Sequence, residues 1–336
     1  MLLIIGSAAA GYVYLLLYAG LHVPITYLWW FWSVGFDGTH IFATASRTYF
    51  DREARARNAG LFYGSLLFFF ALGPVMVLAG WKAWLYLLVG VWAYYHVIRQ
   101  HYGFMVLYKV KNRDLAPVDN LLDRVFLGVT MVLPPFHRFF IHHPEELGIP
   151  FSFPRLDLPV WLLLGTTVLV YVVRQFRRDA FDVPKYLLFA AVIPLHWLTF
   201  AYMSWQAAVP TVTIVHNLQY HALVWFHNRN RYAGREDHGR IPAAVSRSLL
   251  MYAAAGLLFS ALYRIPGFQL GKISDLAFGL FCGFGLTHYY LDSRIWRVRH
   301  DPGLREALQL IPNPQVPTPN PALCPAVTLR VSSDLS

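Results

Sequence analysis

Ten stretches of about 20 mostly apolar residues, the length that crosses a bilayer as a helix, follow one another along the chain. They fall near 2–20, 22–46, 59–80, 83–108, 121–140, 158–174, 185–205, 208–227, 248–264 and 273–292, with short polar segments between them. The pattern predicts an all-α protein: a polytopic integral membrane helical bundle of about ten transmembrane helices within residues 1–311. Two runs are irregular, 121–140 because Pro134 and Pro135 interrupt it and 248–264 because it is short. The first run begins apolar with no basic residues ahead of it, and reads as a membrane helix rather than a cleaved leader. From 312 to 336 the periodicity is lost. Proline recurs through PNPQVPTPNPALCP, and this part reads as an extended or disordered cytoplasmic tail with no catalytic role.

The placement of charge tests the count of spans. With a cytoplasmic N-terminus and ten crossings, 22 Lys and Arg residues fall in inner segments, five (Lys82, Arg138, Arg155, Arg264 and Lys272) fall outside, and Arg99 alone lies within a span. Basic residues gather on the cytoplasmic side of membrane proteins, so both termini are expected in the cytoplasm, as in a bacterial inner membrane protein. The composition agrees, with 57% hydrophobic and 14% charged residues against about 25% charged in soluble domains. A net charge of +10 spread over short loops is a topology signal, which excludes a nucleic-acid partner. Cys282 and Cys324 form neither a disulfide framework nor a CxxC site.

The histidines change the picture from a generic bundle to one with chemistry. His40 lies in the second run, His96 and His101 in the fourth, His216 and His221 in the eighth, and His288 in the tenth. All four helices run in the same direction under the ten-span topology. His96 and His101 precede Lys109 by 13 and 8 residues, and His216 and His221 precede Arg229 by the same 13 and 8. At 1.5 Å per residue both pairs lie about 20 and 12 Å before those basic residues. His40 precedes Arg47 by seven and His288 precedes Arg294 by six, with Asp37 one turn before His40 and Asp292 one turn after His288. Polar groups inside a bilayer are costly unless paired. Imidazoles at matched depth on neighbouring helices are how bundles build metal sites, and imidazole suits iron, copper and zinc.

The six histidines His40, His96, His101, His216, His221 and His288 are therefore the expected metal ligands. The His–x4–His spacing places two rings about 140° apart on a regular helix. A π-bulge could bring both to one centre; otherwise the pairs serve two metals, or one ring of each supports the other. Asp37 and Asp292 are candidate catalytic carboxylates, as further ligands or as orienting partners. Arg99, between His96 and His101, is expected either to pair with one of these carboxylates or to meet a substrate head group. His22, His196 and His227 read as helix–helix hydrogen-bonding residues, and His238 and His300 as surface residues. His137, His142 and His143 read as part of a solvated outer loop, with a separate metal site there as the alternative.

With these six histidines spread over several helices between residues 37 and 292, the chain resembles the histidine-rich integral-membrane non-haem iron enzymes. These comprise the Brp/Blh carotene-cleaving dioxygenases and the membrane desaturases and hydroxylases. The HxxxH and HxxHH boxes of the desaturases do not occur here. The resemblance implies iron, mononuclear or dinuclear, and O2-dependent oxidation of a lipid-like or isoprenoid substrate taken from the bilayer. An electron-donor protein is a further implied partner. Copper and zinc also suit such a ligand set. Tyr94, Tyr95, Tyr102, Trp225, Tyr289 and Tyr290 flank the histidines and could wall such a pocket. The competing expectation, from a different class, is a transporter whose His, Asp and Arg residues form a proton or metal-ion pathway.

Overall fold

The computed structural model describes residues 2–112, 114–178, 181–232 and 239–310. Arg113, Arg235, His238, Cys324 and the proline-rich 312–336 lie outside the described residues. Within them every regular element is helical. Leu2–Gly6 (α1) and Ala8–Leu15 (α2) continue into a π-turn, Leu16–Gly20. Ile25–Trp32 (α3) joins Gly38–Arg47 (α4) through a second π-turn, Ser33–Asp37. Arg52–Leu78 (α5), Lys82–Lys111 (α6) and Pro117–Phe136 (α7) follow, α7 ending in a third π-turn, His137–His142. The remaining helices are Asp157–Phe176 (α8), Val183–Tyr202 (α9), Trp205–Tyr232 (α10), Arg240–Val245 (α11), Leu249–Ile273 (α12), Asp275–Ile295 (α13) and Pro302–Ala307 (α14).

Each of the ten apolar runs lies on one of these helical segments, and the two irregular runs extend further than the pattern indicates. Pro134 and Pro135 sit in the last turn of α7, which continues as the π-turn, so the segment just beyond 136 is helical rather than open loop. In α12 the helix passes Pro266 and ends only at Ile273. Bundles tolerate internal proline because neighbouring groups take up the freed backbone carbonyls.

Among the described residues, six helical stretches are long and apolar enough to cross a membrane, as a membrane protein requires: Leu3–Gly20, Arg52–Leu78, Pro117–His142, Pro154–Phe176, Val183–Tyr202 and Leu249–Ile273. The other four segments, α3–α4, α6, α10 and α13, are of comparable length but diluted by polar residues that point inward. His40 and Thr44, His96 and His101, His216, Asn217 and Gln219, and His288 and Asp292 are all buried. The apolar helices instead expose large side chains such as Leu67, Leu162, Phe176 and Leu262, as lipid-facing helices do.

Two features fix the inner helices. α5 crosses α13 at Gly73 and Gly279, where a Cβ on Gly73 would collide with the Gly279 carbonyl and one on Gly279 would lie 2.7 Å from the Gly73 carbonyl carbon. Only glycine permits that approach. At one end of the bundle, Asp123 of α7 is buried between Lys109 of α6 and Lys185 of α9, with Lys185 Nζ at 3.1 Å and the Tyr171 hydroxyl of α8 donating at 2.8 Å. Arg174 pairs with Asp119 at 2.8 Å and Arg178 with Asp114 at 2.7 Å beside them. Lys109, Arg174, Arg178 and Lys185, which the charge pattern assigns to one side, thus share one end of the fold. Paired in this way, the buried charges avoid the penalty of isolation.

Candidate metal centre

α4 is buried along its whole length and brings His40 to the middle of the bundle. His96 comes from α6, His216 from α10 and His288 from α13. One ligand nitrogen from each of the four lies within 4.8 Å of the others, and all four residues are buried. His40 Nε2 and His216 Nε2 stand 3.1 Å apart. The His40 ring centroid is 4.0 Å from that of His288, and the His96 ring is 4.9 Å from those of both His216 and His288. Two nitrogens bound to one metal at about 2.0–2.1 Å are separated by roughly 3 to 3.4 Å, so the closest pair has the spacing of shared ligands.

The second ring nitrogens indicate which lone pairs face inward. His40 Nδ1–H donates to the Asp37 carbonyl at 3.3 Å, leaving Nε2 for the centre. The Thr44 hydroxyl donates to Asp292 Oδ1 at 2.9 Å, so its oxygen accepts from His288 Nδ1–H at 2.7 Å. His288 Nε2 then has no partner, nor do His96 Nε2 and His216 Nδ1. Buried polar atoms without partners are rare. His216 meets His40 through Nε2, so its free Nδ1 belongs to the other side of the ring; the remaining two, His96 Nε2 and His288 Nε2, belong to the cluster in which one nitrogen of each ring lies within 4.8 Å of the others, and the four histidines could hold a metal ion.

Beneath the histidines lies a second polar layer. Thr44, Tyr220 and Asp292 each follow a histidine of the cluster by four residues, one helical turn on the same face. The two hydroxyls converge on the carboxylate: Tyr220 donates to Asp292 Oδ1 at 2.7 Å beside Thr44, and the two hydroxyl oxygens lie 2.7 Å apart. Asp292 Oδ2 lies 3.7 Å from His96 Nε2. Gln100, four residues after His96, donates to the His216 carbonyl at 2.9 Å and ties α6 to α10. Thr44 and Tyr220 are absent from the sequence-based site. The recurring i,i+4 spacing behind three of the histidines was the available signal.

Other expected residues lie elsewhere. α6 and α10 remain regular α-helix through both His–x4–His pairs, so the π-bulge that would align those pairs is absent and the second ring of each turns away. His101 packs edge-on against His196 at 5.9 Å. His221 uses both nitrogens, with Thr39 Oγ1 at 2.9 Å and the Tyr252 hydroxyl at 3.1 Å. Asp37 forms an ion pair with Arg264 of α12, and only its backbone reaches His40. Arg99 is exposed, its guanidinium 5.3 Å over the Tyr102 ring, and is paired with neither Asp37 nor Asp292. Of the flanking aromatics, Tyr289 lies 5.1 Å from His96 and 5.4 Å from His288. Tyr94 bonds His196 at 2.8 Å and the Met131 carbonyl at 2.7 Å, while Trp225 packs on Tyr252. Comparison of the chain with protein-family models, with curated proteins and with solved structures gave no match.

Proposed function

We propose that the protein is a membrane-embedded oxidoreductase in which His40, His96, His216 and His288 bind iron and act with O2 on a lipid or isoprenoid substrate. The observation that carries this reading is the convergence of four buried imidazoles from four helices, with one ring nitrogen of each within 4.8 Å of the others. Ten membrane crossings with cytoplasmic termini complete the proposal, supported by the 22-to-5 division of basic residues. Iron rests on the donor chemistry and on the resemblance to non-haem iron enzymes.

Bound iron would supply O2 activation. The chain's own residues do the rest. The four neutral imidazoles hold the ion, and Asp292, acting through Thr44, keeps His288 in the tautomer that presents Nε2. Tyr220 and Asp292 offer an exchangeable proton within one turn of the centre. On the opposite side Tyr289 leads to Trp92, with ring centroids 6.3 Å apart. Trp92 lines an open apolar groove with Trp84, Leu87, Leu88, Val91 and Tyr95 on the outer face of α6. An apolar chain in the groove thus has two aromatic rings in line, Trp92 and Tyr289, between it and His96.

The test is elemental analysis of full-length protein purified in detergent after growth with iron, followed by O2 consumption with an isoprenoid or acyl-lipid substrate and a reductant. Iron near one or two per chain and substrate-dependent O2 uptake are expected. Folded protein that takes up no iron, and whose Cu2+ and Zn2+ content after incubation is unchanged by His216→Ala, would overturn the metal centre and leave the transporter as the better reading.

A further inference from the structure

The spacing His–x4–His occurs a third time, in His137-Arg-Phe-Phe-Ile-His142. Of the three pairs, only this one lies on a π-turn. The His143 N–H donates five residues back to the Arg138 carbonyl at 2.7 Å, so residues five apart share a face. The two rings accordingly face each other with centroids 4.4 Å apart. Asp157, the first residue of α8, closes the third side. Its Oδ1 is 2.8 Å from His137 Nε2 and 3.4 Å from His142 Nε2, and the two Nε2 atoms are 3.2 Å apart.

These three separations bracket the roughly 3.3 Å between ligands of a tetrahedral zinc ion with bonds of about 2.0–2.1 Å. Two facing imidazole nitrogens share at most one proton between them, whereas a dication accepts both lone pairs and the carboxylate oxygen together. The adjacent charged groups are engaged elsewhere: Arg138 pairs with Glu146 at 2.7 Å, and His143 with Glu145 at 3.2 Å. Trp161 packs behind His137 at 5.1 Å and fixes its ring. All three ligands are partly exposed, within reach of an ion from solution. They stand about 20 Å along α7 from the buried Asp123.

We propose that His137, His142 and Asp157 form a second metal site, selective for a divalent transition metal of the zinc class. Two imidazoles and one carboxylate leave a fourth position for water or an external ligand. The ion would clip the last turn of α7 to the first turn of α8 across residues 143–156. This site is independent of the four-histidine centre and of the oxidation proposed for it.

The test uses full-length protein in detergent, stripped with a chelator and loaded with Zn2+ alone. His142→Gln and Asp157→Asn change partly exposed side chains, and their folding is checked by size-exclusion chromatography. In a background carrying His216→Ala and His288→Ala, one zinc per chain is expected. Adding either triad substitution should weaken that zinc at least tenfold in chelator competition. Unchanged zinc affinity in both triad variants would overturn the proposal, as would a background protein that binds none. A measurement on the unmodified chain needs no variant: Zn2+ should slow carbethoxylation of His142, read by mass spectrometry, and an unchanged rate would also overturn the site. Failure of the central centre would leave each of these outcomes as stated, so the two readings are separable.

Discussion

The two histidine clusters are built in opposite ways. The central one gathers single histidines from α4, α6, α10 and α13, residues as far apart in sequence as His40 and His288, and buries all four. The peripheral one takes two histidines from a single turn and a carboxylate 15 residues later, and leaves them partly exposed. The first depends on the packing of the bundle, the second on one π-turn and the start of the next helix, α8. A central ligand is oriented by long-range partners, as His288 is by Thr44 and Asp292. A peripheral ligand is held within the α7–α8 corner, as His137 is by Trp161.

The comparison breaks most clearly if substitution of a central ligand affects both places. His216→Ala is expected to abolish metal at the four-histidine centre, with any O2-dependent activity, while zinc bound by the peripheral triad is unchanged; metal content per chain reads both. Loss of both metals would mean that the clusters are not separate. A smaller effect is expected from Asp292→Asn. The neutral amide oxygen accepts the Thr44 and Tyr220 hydrogen bonds more weakly than the charged carboxylate, and loss of such an orienting partner weakens metal binding by roughly 10- to 100-fold. Chelator competition measures this, and unchanged affinity would remove Asp292 from the orienting role. The smallest effects should come from His101→Ala and His221→Ala, each altering central metal affinity by less than about threefold, since neither ring joins the cluster. Metal loss in either variant would restore the wider set of six ligands.

Much of the architecture was legible because a bilayer leaves few options: each apolar run of sufficient length lies on a helix, and even the proline-broken run at 121–140 does so. Depth was legible as well, since a rise of about 1.5 Å per residue converts sequence offset into height. Azimuth was not. His96 and His101 differ by only five residues, yet one faces the centre and the other faces His196, because the helix between them stays regular. The partner of a buried charge is equally hidden: Asp37 lies one turn from His40 but is taken by Arg264, more than 200 residues away. Arg99 looked deep along the chain, yet its helix face turns it outward to Tyr102. The π-bulge that the His–x4–His spacing invites in α6 and α10 occurs instead at His137–His142, in a segment whose polar residues suggest a solvated loop.

The π-turn at Ser33–Asp37 sets where the chain could lose a residue and keep the centre. There the Gly38 N–H reaches the Ser33 carbonyl, five residues back, so the turn holds one residue more than a regular helix would need. Five residues in such a turn cover close to the angle that four cover in a regular helix. Deleting one residue within Ser33–Asp37 and closing the turn would therefore leave α4 in nearly its present phase, with His40 still in the cluster. A deletion between His40 and Thr44 has no such slack. Each residue of a regular helix turns the chain by about 100°, and Thr44 would be carried by that angle away from the face it shares with His40. The same one-codon loss is thus tolerated or ruinous according to whether it falls in the wide turn or one turn beyond it.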